Sequence, residues 1–338
     1  YPVVYLLDAE HNYLFHTFSG MLKQMAADAS PLIPEVILVG ITNKNRIRDV
    51  SPTQSLTQYG GKEHSALKIS GGADTFIKFI QMELIPKIER EYKVSEYNIL
   101  TGYSFSGLAV IHALFTKPNI FDGYIAIDPS MWWDEQIMLK RSEQFLSRQK
   151  LNKVQLFIST SKRVGNIYPK ENYVIELIEK FESIQKPGLN FGSRVYGLEE
   201  NHQTMPILSF YNGMRFIFEG YMIDEETRFR PATELELHFA TLSEKLGVEL
   251  KLNESLVNWF AQDQMYNDQF DMDTQRGIGF LELNLKWYPD SPNAYINLGD
   301  GYKNADDPQK ALATFKKGLS FFPDNKALKA VVNNLYSN

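Results

Sequence analysis

The 338-residue sequence contains no cysteine. That absence removes disulfide frameworks, thiolate metal sites and cysteine nucleophiles, and leaves the redox compartment open. Positive charge is not in excess: 35 Lys+Arg stand against 41 Asp+Glu, a formal net charge of -6. Sequence-independent binding to nucleic acid therefore has no electrostatic basis. No apolar run reaches the ~20 residues a membrane-spanning helix requires. Tyr1 takes the place of an initiating Met and no charged-then-apolar leader follows it, so the chain reads as a processed or trimmed product. What remains for chemistry is serine, histidine and carboxylate. The hydrophobic share of 43% allows a sizeable core, and the length suggests about two domains.

The first 220 residues alternate between strand-like and helix-like stretches. Tyr1 to Leu7 and Val36 to Gly40 are near-continuous apolar runs, the pattern of strands covered on both faces. Further strands are expected at Tyr97 to Leu100, Tyr124 to Ile127, Val154 to Ser159 and Arg194 to Tyr196. Helices are expected around Met21 to Ala27, from Asp74 as its cap through Ile88 with a kink at Pro86, and at Leu108 to Phe115, Ile137 to Leu146 and Tyr173 to Ile184. This order predicts an α/β fold, a parallel sheet with helices on both faces. Thr42 to Gly71 shows no periodicity and reads as a long substrate-facing loop.

Past Tyr221 the pattern is helical only. Ala294, Tyr295, Leu298, Gly299 and Tyr302, followed by Ala311, Phe315 and Pro323, have the residue types and offsets of a tetratricopeptide repeat. Trp287-Tyr288-Pro289-Asp290 matches Phe321-Phe322-Pro323-Asp324, 34 residues on. About two repeats and a terminal helix, Lys326 to Tyr336, are expected. The boundaries implied are 1–221 for an α/β domain, 222–250 for a helical connector and 251–338 for a small all-α tetratricopeptide-like domain. Such a domain suits helix packing on the first domain, a protein partner or a homodimer.

The most informative segment is Gly102-Tyr103-Ser104-Phe105-Ser106-Gly107, at an expected strand-to-helix junction. A serine at the tip of a sharp turn of this kind has an exposed hydroxyl and needs small neighbours. The pattern Gly-x-Ser-x-Gly is broken at its fifth position by Ser106, itself small, with Gly107 following. A nucleophilic serine requires a base. Of six histidines, His202 follows the last expected strand, where the base of an α/β-hydrolase lies. His112 falls on an apolar helix and reads as core, His11 and His16 lie near the first strand, and His64 and His238 read as loop and helix-surface residues. For an orienting acid the candidates are Asp128 and Glu171; a Ser-His dyad held by a backbone carbonyl is the alternative, and Glu199 reads as a surface charge. The oxyanion donors expected are the N–H groups of Phe105, at a helix N-terminus, and of Glu10, in the turn after the first strand.

Six segments together resemble the Putative esterase family of α/β-hydrolases, which includes the enterochelin esterases and IroE-like hydrolases. They are Tyr5-Leu6-Leu7-Asp8, Asn45 to Thr53, Gly71-Gly72-Ala73-Asp74, the Ser104 turn, Asp128-Pro129-Ser130-Met131-Trp132-Trp133 and Glu200-Asn201-His202. The resemblance covers about residues 1 to 220. It implies an α/β-hydrolase sheet and serine-dependent hydrolysis of a carboxylic ester, with Ser104 as nucleophile, His202 as base, and no metal or organic cofactor. It is closest to the IroE-like members, where a Ser-His pair without a clear acid is the expected arrangement and siderophore-type lactones are among the substrates. It also implies strands upstream of Tyr1, so the domain reads as lacking its N-terminal edge, and it favours an extracytoplasmic compartment. Trp132 and Trp133 are expected to close over the site or to pack in the core. Arg46 and Arg48 are expected to attract an anionic or catecholate substrate, with local pairing of Arg48 to Asp49 as the alternative. A non-catalytic interaction module and an acyltransferase are the competing functions.

Overall fold

The structure, a computed structural model, describes residues 1–10, 14–27, 30–57, 61–148, 151–162, 172–267, 269 and 272–336. They form two compact units, one of residues 1–26, 32–219 and 246–248, the other of 27–31, 220–245 and 249–338.

The first unit is built on six parallel strands: β1 (Val3–Leu7), β2 (Ile37–Ile41), β3 (Asn98–Tyr103), β4 (Gly123–Ile127), β5 (Val154–Ser161) and β6 (Leu189–Tyr196). Their order across the sheet is β2-β1-β3-β4-β5-β6. The four inner strands are buried at every residue, which is why β1 and β4 read as near-continuous apolar runs; the edge strands are only partly covered, including β2, whose apolar run suggests cover on both faces. The chain runs from β1 outward to β2 and then returns to place β3 on the other side of β1. That reversal parts the connections leaving β1 and β3 at their carboxyl ends, the place where open α/β sheets bind their ligands.

Helices cover both faces. On one face α1 (Leu14–Met25) meets α8 (Met205–Ile217), with Phe18 and Phe210 stacked at 3.9 Å. The other carries α2 (Arg46–Val50), α3 (Ala73–Phe79), α4 (Ile85–Glu91), α5 (Phe105–Thr116), α6 (Trp133–Arg148) and α7 (Tyr173–Ser183), whose apolar residues share a core with β1, β3, β4 and β5. The segment expected to be a featureless loop contains α2 and a 3-10 turn, Ser65–Ile69. Five residues are too few to show a helical period, so α2 is defined by its cap, the Asn45 side chain accepting from the Arg48 N–H. Asp74 does not cap α3. Gly72 occupies the cap position, and the Asp74 carboxylate instead meets His112 Nε2 on α5 at 2.8 Å. Before Pro86 the helix does not break: a π turn over Ile80–Leu84, with the Ile85 N–H donating to the Ile80 carbonyl, absorbs the proline.

The second unit contains α9 (Ala232–Leu246), α10 (Glu254–Tyr266), α11 (Thr274–Trp287), α12 (Pro292–Asn304), α13 (Pro308–Phe321) and α14 (Lys326–Tyr336). Its backbone repeats at an interval of 34 residues. Asp273 and Asp307 cap α11 and α13 in the same way, each accepting from the amide three residues on. Tyr288 and Phe322 end those helices with nearly equal dihedrals, φ −128, ψ 59 and φ −124, ψ 65. Tyr295, Ala311, Phe315, Leu328 and Val332 form the core between α12, α13 and α14. No helix among the described residues is long and apolar enough to cross a membrane.

Candidate active site

Ser104 lies between β3 and α5 with φ 60, ψ −115. A non-glycine residue is strained there, and surrounding structure must hold it. Three features do so. The Ser104 N–H donates to the Ile127 carbonyl at 2.8 Å. The buried Ser106 hydroxyl accepts from the Tyr103 N–H at 3.1 Å and donates to the Tyr103 carbonyl at 2.9 Å. Finally, a Cβ on Gly102 would lie 2.6 Å from the Ser106 carbonyl oxygen, so only glycine fits. The close approach of helix to sheet falls on Gly107, where a Cβ would come within 3.0 Å of the Ile127 carbonyl. The unusual Ser106 is thus a staple across the turn, and the glycine role usual at its position has moved one residue on.

His202 reaches Ser104 from the loop after β6. Its Nε2 is 3.1 Å from Ser104 Oγ and its Nδ1 is 2.5 Å from Asp128 Oδ2. A carboxylate only accepts, so Nδ1 carries the proton and Nε2 is free to accept from the serine hydroxyl. Asp128 follows β4 with φ 41, its side chain fully buried. A buried carboxylate needs partners for both oxygens; the Thr160 hydroxyl donates to Oδ1 at 2.7 Å. Thr160 is near the end of β5, the strand after which the sequence offered no acid, and Asn172 Nδ2 contacts both its hydroxyl and the Ser161 carbonyl. Of the two carboxylates considered for the third position, Asp128 is brought to His202; Glu171 lies outside the described residues. Glu199 accepts from the Gly197 N–H and stays within its own loop.

The Phe105 amide occupies the first position of α5, where no intrahelical acceptor exists, beside Ser104. In the turn after β1, Asp8 has φ 53 and is buried, and Glu10 is exposed with Oε1 accepting from the Asn43 N–H at 3.2 Å. Asp8 is the anchor of this turn: Oδ1 accepts from Asn43 Nδ2 at 2.7 Å and Oδ2 from Arg46 Nε at 2.6 Å. Arg46 also sits over the Phe105 ring, 5.6 Å from its centroid. One guanidinium therefore touches both the turn after β1 and the residue after Ser104. Arg48 does not join it. Arg48 bonds its neighbour Asp49 at 2.7 Å, the local pairing expected as the alternative, and this hydrogen bond raises the guanidinium's already high pKa.

Trp132 and Trp133 divide the roles assigned to them jointly. Trp133 is 1% exposed, packed against Phe105 at 5.0 Å, with its indole N–H donating to the Thr53 hydroxyl; it is a core residue and not a cover. Trp132 is half-buried and stacked on Phe105 at 6.4 Å. The backbone beyond them makes a left-handed turn through Asp134, Glu135 and Gln136. His16 is exposed on α1, His64 caps the 3-10 turn, His238 donates to the Gly220 carbonyl, and His11 lies outside the described residues. His112 is buried, and burial holds its imidazole below the ordinary pKa despite the Asp74 carboxylate.

Sequence reasoning missed Tyr103, Thr160 and the Asp8–Arg46 pair. The last had a signal: an acid ending a wholly apolar strand is buried and requires a partner.

The Putative esterase family matches residues 1–168. Ferri-bacillibactin esterase BesA of Bacillus subtilis is 34% identical over 161 residues, 45% of this chain and 55% of that protein. The siderophore enterobactin esterase of Emericella nidulans is 42% identical over 156 residues, 43% of this chain and 51% of that protein. The chain thus spans about half the length of the curated relatives it matches. The structure of an IroE-like serine hydrolase from Shewanella oneidensis is similar with a TM-score of 0.74 at 30% identity, over 85% of this chain and 90% of that one. That share exceeds what the sheet unit alone contributes. With a relative at this identity covered over nearly its whole length, and an α/β-hydrolase-like sheet beneath the site, the chain belongs to the Putative esterase family.

Proposed function

We propose that this chain is a serine hydrolase of carboxylic esters, acting through an acyl-enzyme on Ser104. The observation that carries the reading is the unbroken run of hydrogen bonds from Ser104 through His202 to Asp128. In the first step Ser104 Oγ attacks the ester carbonyl while His202 Nε2 takes its proton, and the Asp128 carboxylate balances the imidazolium that forms. The tetrahedral oxyanion is held by the Phe105 N–H and the Glu10 N–H. Collapse expels the alcohol, which leaves with the proton from His202. Water then repeats the sequence on the acyl group and regenerates Ser104. The scheme uses no metal or organic cofactor.

The substrates we propose are siderophore-type lactone esters. The names of the two curated relatives support this, and so does the chemistry beside Ser104: the Phe105 and Trp132 rings offer an apolar wall, and Arg46 places a cation there. The second unit we read as tetratricopeptide-like, from its 34-residue repeat of caps and helix ends, and as a mount for a protein partner or a second copy of the chain.

The test is Ser104→Ala, checked for folding by circular dichroism. Hydrolysis of short p-nitrophenyl esters should fall at least ~10³-fold, and labelling by a fluorophosphonate probe should vanish. Full activity in the folded variant would refute the assignment. A panel of trilactone and linear esters, with alcohols added as competing acceptors, distinguishes lactone hydrolysis from acyl transfer.

A further inference from the structure

His202 belongs to a loop, residues 197–204, in which Leu198, Glu199, Asn201, Gln203 and Thr204 are all exposed. Most hydrogen bonds of this loop are local: Gly197 N–H to Glu199, Asn201 N–H to the Thr204 hydroxyl, Gln203 N–H to Asn201, and the Thr204 hydroxyl to Glu200. Besides the Asn201 carbonyl, which accepts from the Met205 N–H at the start of α8, its hydrogen bonds to the rest of the sheet unit run, among the described residues, through His202. Two of these are made by the imidazole, to Ser104 and Asp128. The third is made by the backbone, whose carbonyl accepts from the Tyr103 hydroxyl at 2.6 Å across 99 positions of sequence. The Tyr103 ring also lies 4.7 Å from the imidazole, tilted by 36°. Tyr103 itself is 4% exposed at the last position of β3, and its backbone N–H and carbonyl are both fixed by Ser106.

These contacts differ in what happens to them during turnover. A base that accepts and returns a proton remakes its bonds to nucleophile and substrate in every cycle. The bond from Tyr103 to the backbone carbonyl takes no part in that exchange. We propose that Tyr103 is the positioning residue for the base: it fixes the His202 loop to the nucleophile's own strand, so that any displacement of the Ser104 turn carries the imidazole with it. Tyr103 and Ser104 are consecutive residues, so the serine-to-imidazole distance is set by one short rigid segment rather than by the intervening ~100 residues. The inference rests on the proposed roles of Ser104 and His202 and adds to them the group that keeps their spacing. Alignment of this kind matters because small misplacements of reacting groups carry large rate penalties.

The test is Tyr103→Phe, which keeps the ring and deletes the hydroxyl, and Tyr103→Leu, which deletes both contacts. Each is measured with p-nitrophenyl butyrate and with a fluorophosphonate, with rates expressed per folded molecule from the unfolding curve, so that a partly unfolded variant still reports. Tyr103→Phe should lower kcat about tenfold with KM within twofold of wild type, and slow phosphonylation by the same factor. Tyr103→Leu should lower both by about 100-fold. A purely structural tyrosine would change the melting temperature and leave both rates per folded molecule at wild-type values; that outcome, or a change in KM alone, overturns the proposal. Failure of the underlying reading looks different: wild-type protein would then resist the fluorophosphonate, or Ser104→Ala would still be labelled.

Discussion

Replacing Asp128 by asparagine separates a three-residue relay from a Ser-His pair. The carboxylate is fully buried, with Oδ2 2.5 Å from His202 Nδ1 and Oδ1 bonded to Thr160. In the proposed mechanism, His202 takes the serine proton and a unit positive charge forms about 4 Å from the centre of this carboxylate. At an effective dielectric of about 20, that pair is worth about 4 kcal/mol. At ~1.4 kcal/mol per decade the loss corresponds to roughly 10³ in kcat. Asparagine adds a second penalty, because its N–H₂ can face Nδ1 and force the proton onto Nε2, where it blocks acceptance from Ser104; in serine proteases the combined effect is about 10⁴. In that orientation the amide oxygen faces Thr160, whose hydroxyl still donates to it, so the fold tolerates the exchange. Asp128→Asn should therefore lose 10³- to 10⁴-fold in kcat on p-nitrophenyl butyrate, with KM within about threefold. A kcat within tenfold of wild type, in protein with an unchanged urea midpoint, would refute the relay and leave His202 oriented by its loop.

Two further perturbations probe the surroundings. Ser106→Gly restores the glycine usual at this position but removes both hydrogen bonds to Tyr103; stability should fall by about 1–2 kcal/mol in urea titration while kcat stays within several-fold, and an unchanged midpoint would show that the staple contributes nothing. His112 is buried with its pKa depressed by desolvation, so below the ordinary imidazole value of about 6.5 the unfolded chain binds the extra proton first and stability falls as pH falls. Between pH 7.5 and 5 the wild type should therefore lose more stability than His112→Gln, by at most about 1.4 kcal/mol per pH unit, and parallel curves for the two proteins would contradict this.

The parts of this molecule that could be read in advance are those encoded by neighbours in sequence. Strands such as Val3–Leu7 and Gly123–Ile127 are apolar at every position because both faces are covered, and the Ser104 turn announces itself by small residues on either side. His202 is singled out by its place after the last strand, and the structure brings it to Ser104. The carboxylate beside it is harder to read. Asp128 and Glu171 were equal on paper, since what selects Asp128 is the adjacency of β4 to β3 and β5 and a left-handed backbone at residue 128, neither of which leaves a local pattern. Tyr103 occupies the variable position of the motif, and its partner is 99 residues away. Asp74 invited a cap because acids favour helix N-termini, but His112, two helical turns past Ser104, had a buried ring nitrogen to satisfy and drew the carboxylate to itself. For Arg48 and Trp133 the sequence leaves two readings each, because charge and aromaticity near a site say nothing of direction; the contacts with Asp49 and Thr53 set it.

The β2-β1-β3-β4-β5-β6 order has a consequence for how activity arises during folding. Ser104, Asp128 and His202 are delivered after β3, β4 and β6, and β6 is an edge strand that docks only on β5. A chain that has assembled its inner strands already holds Ser104 and Asp128 in place, yet it lacks the histidine. Reactivity toward a fluorophosphonate therefore reports the docking of β6 and of α8 behind it, and in a refolding experiment it should appear no earlier than the covering of the face that carries α1 and α8.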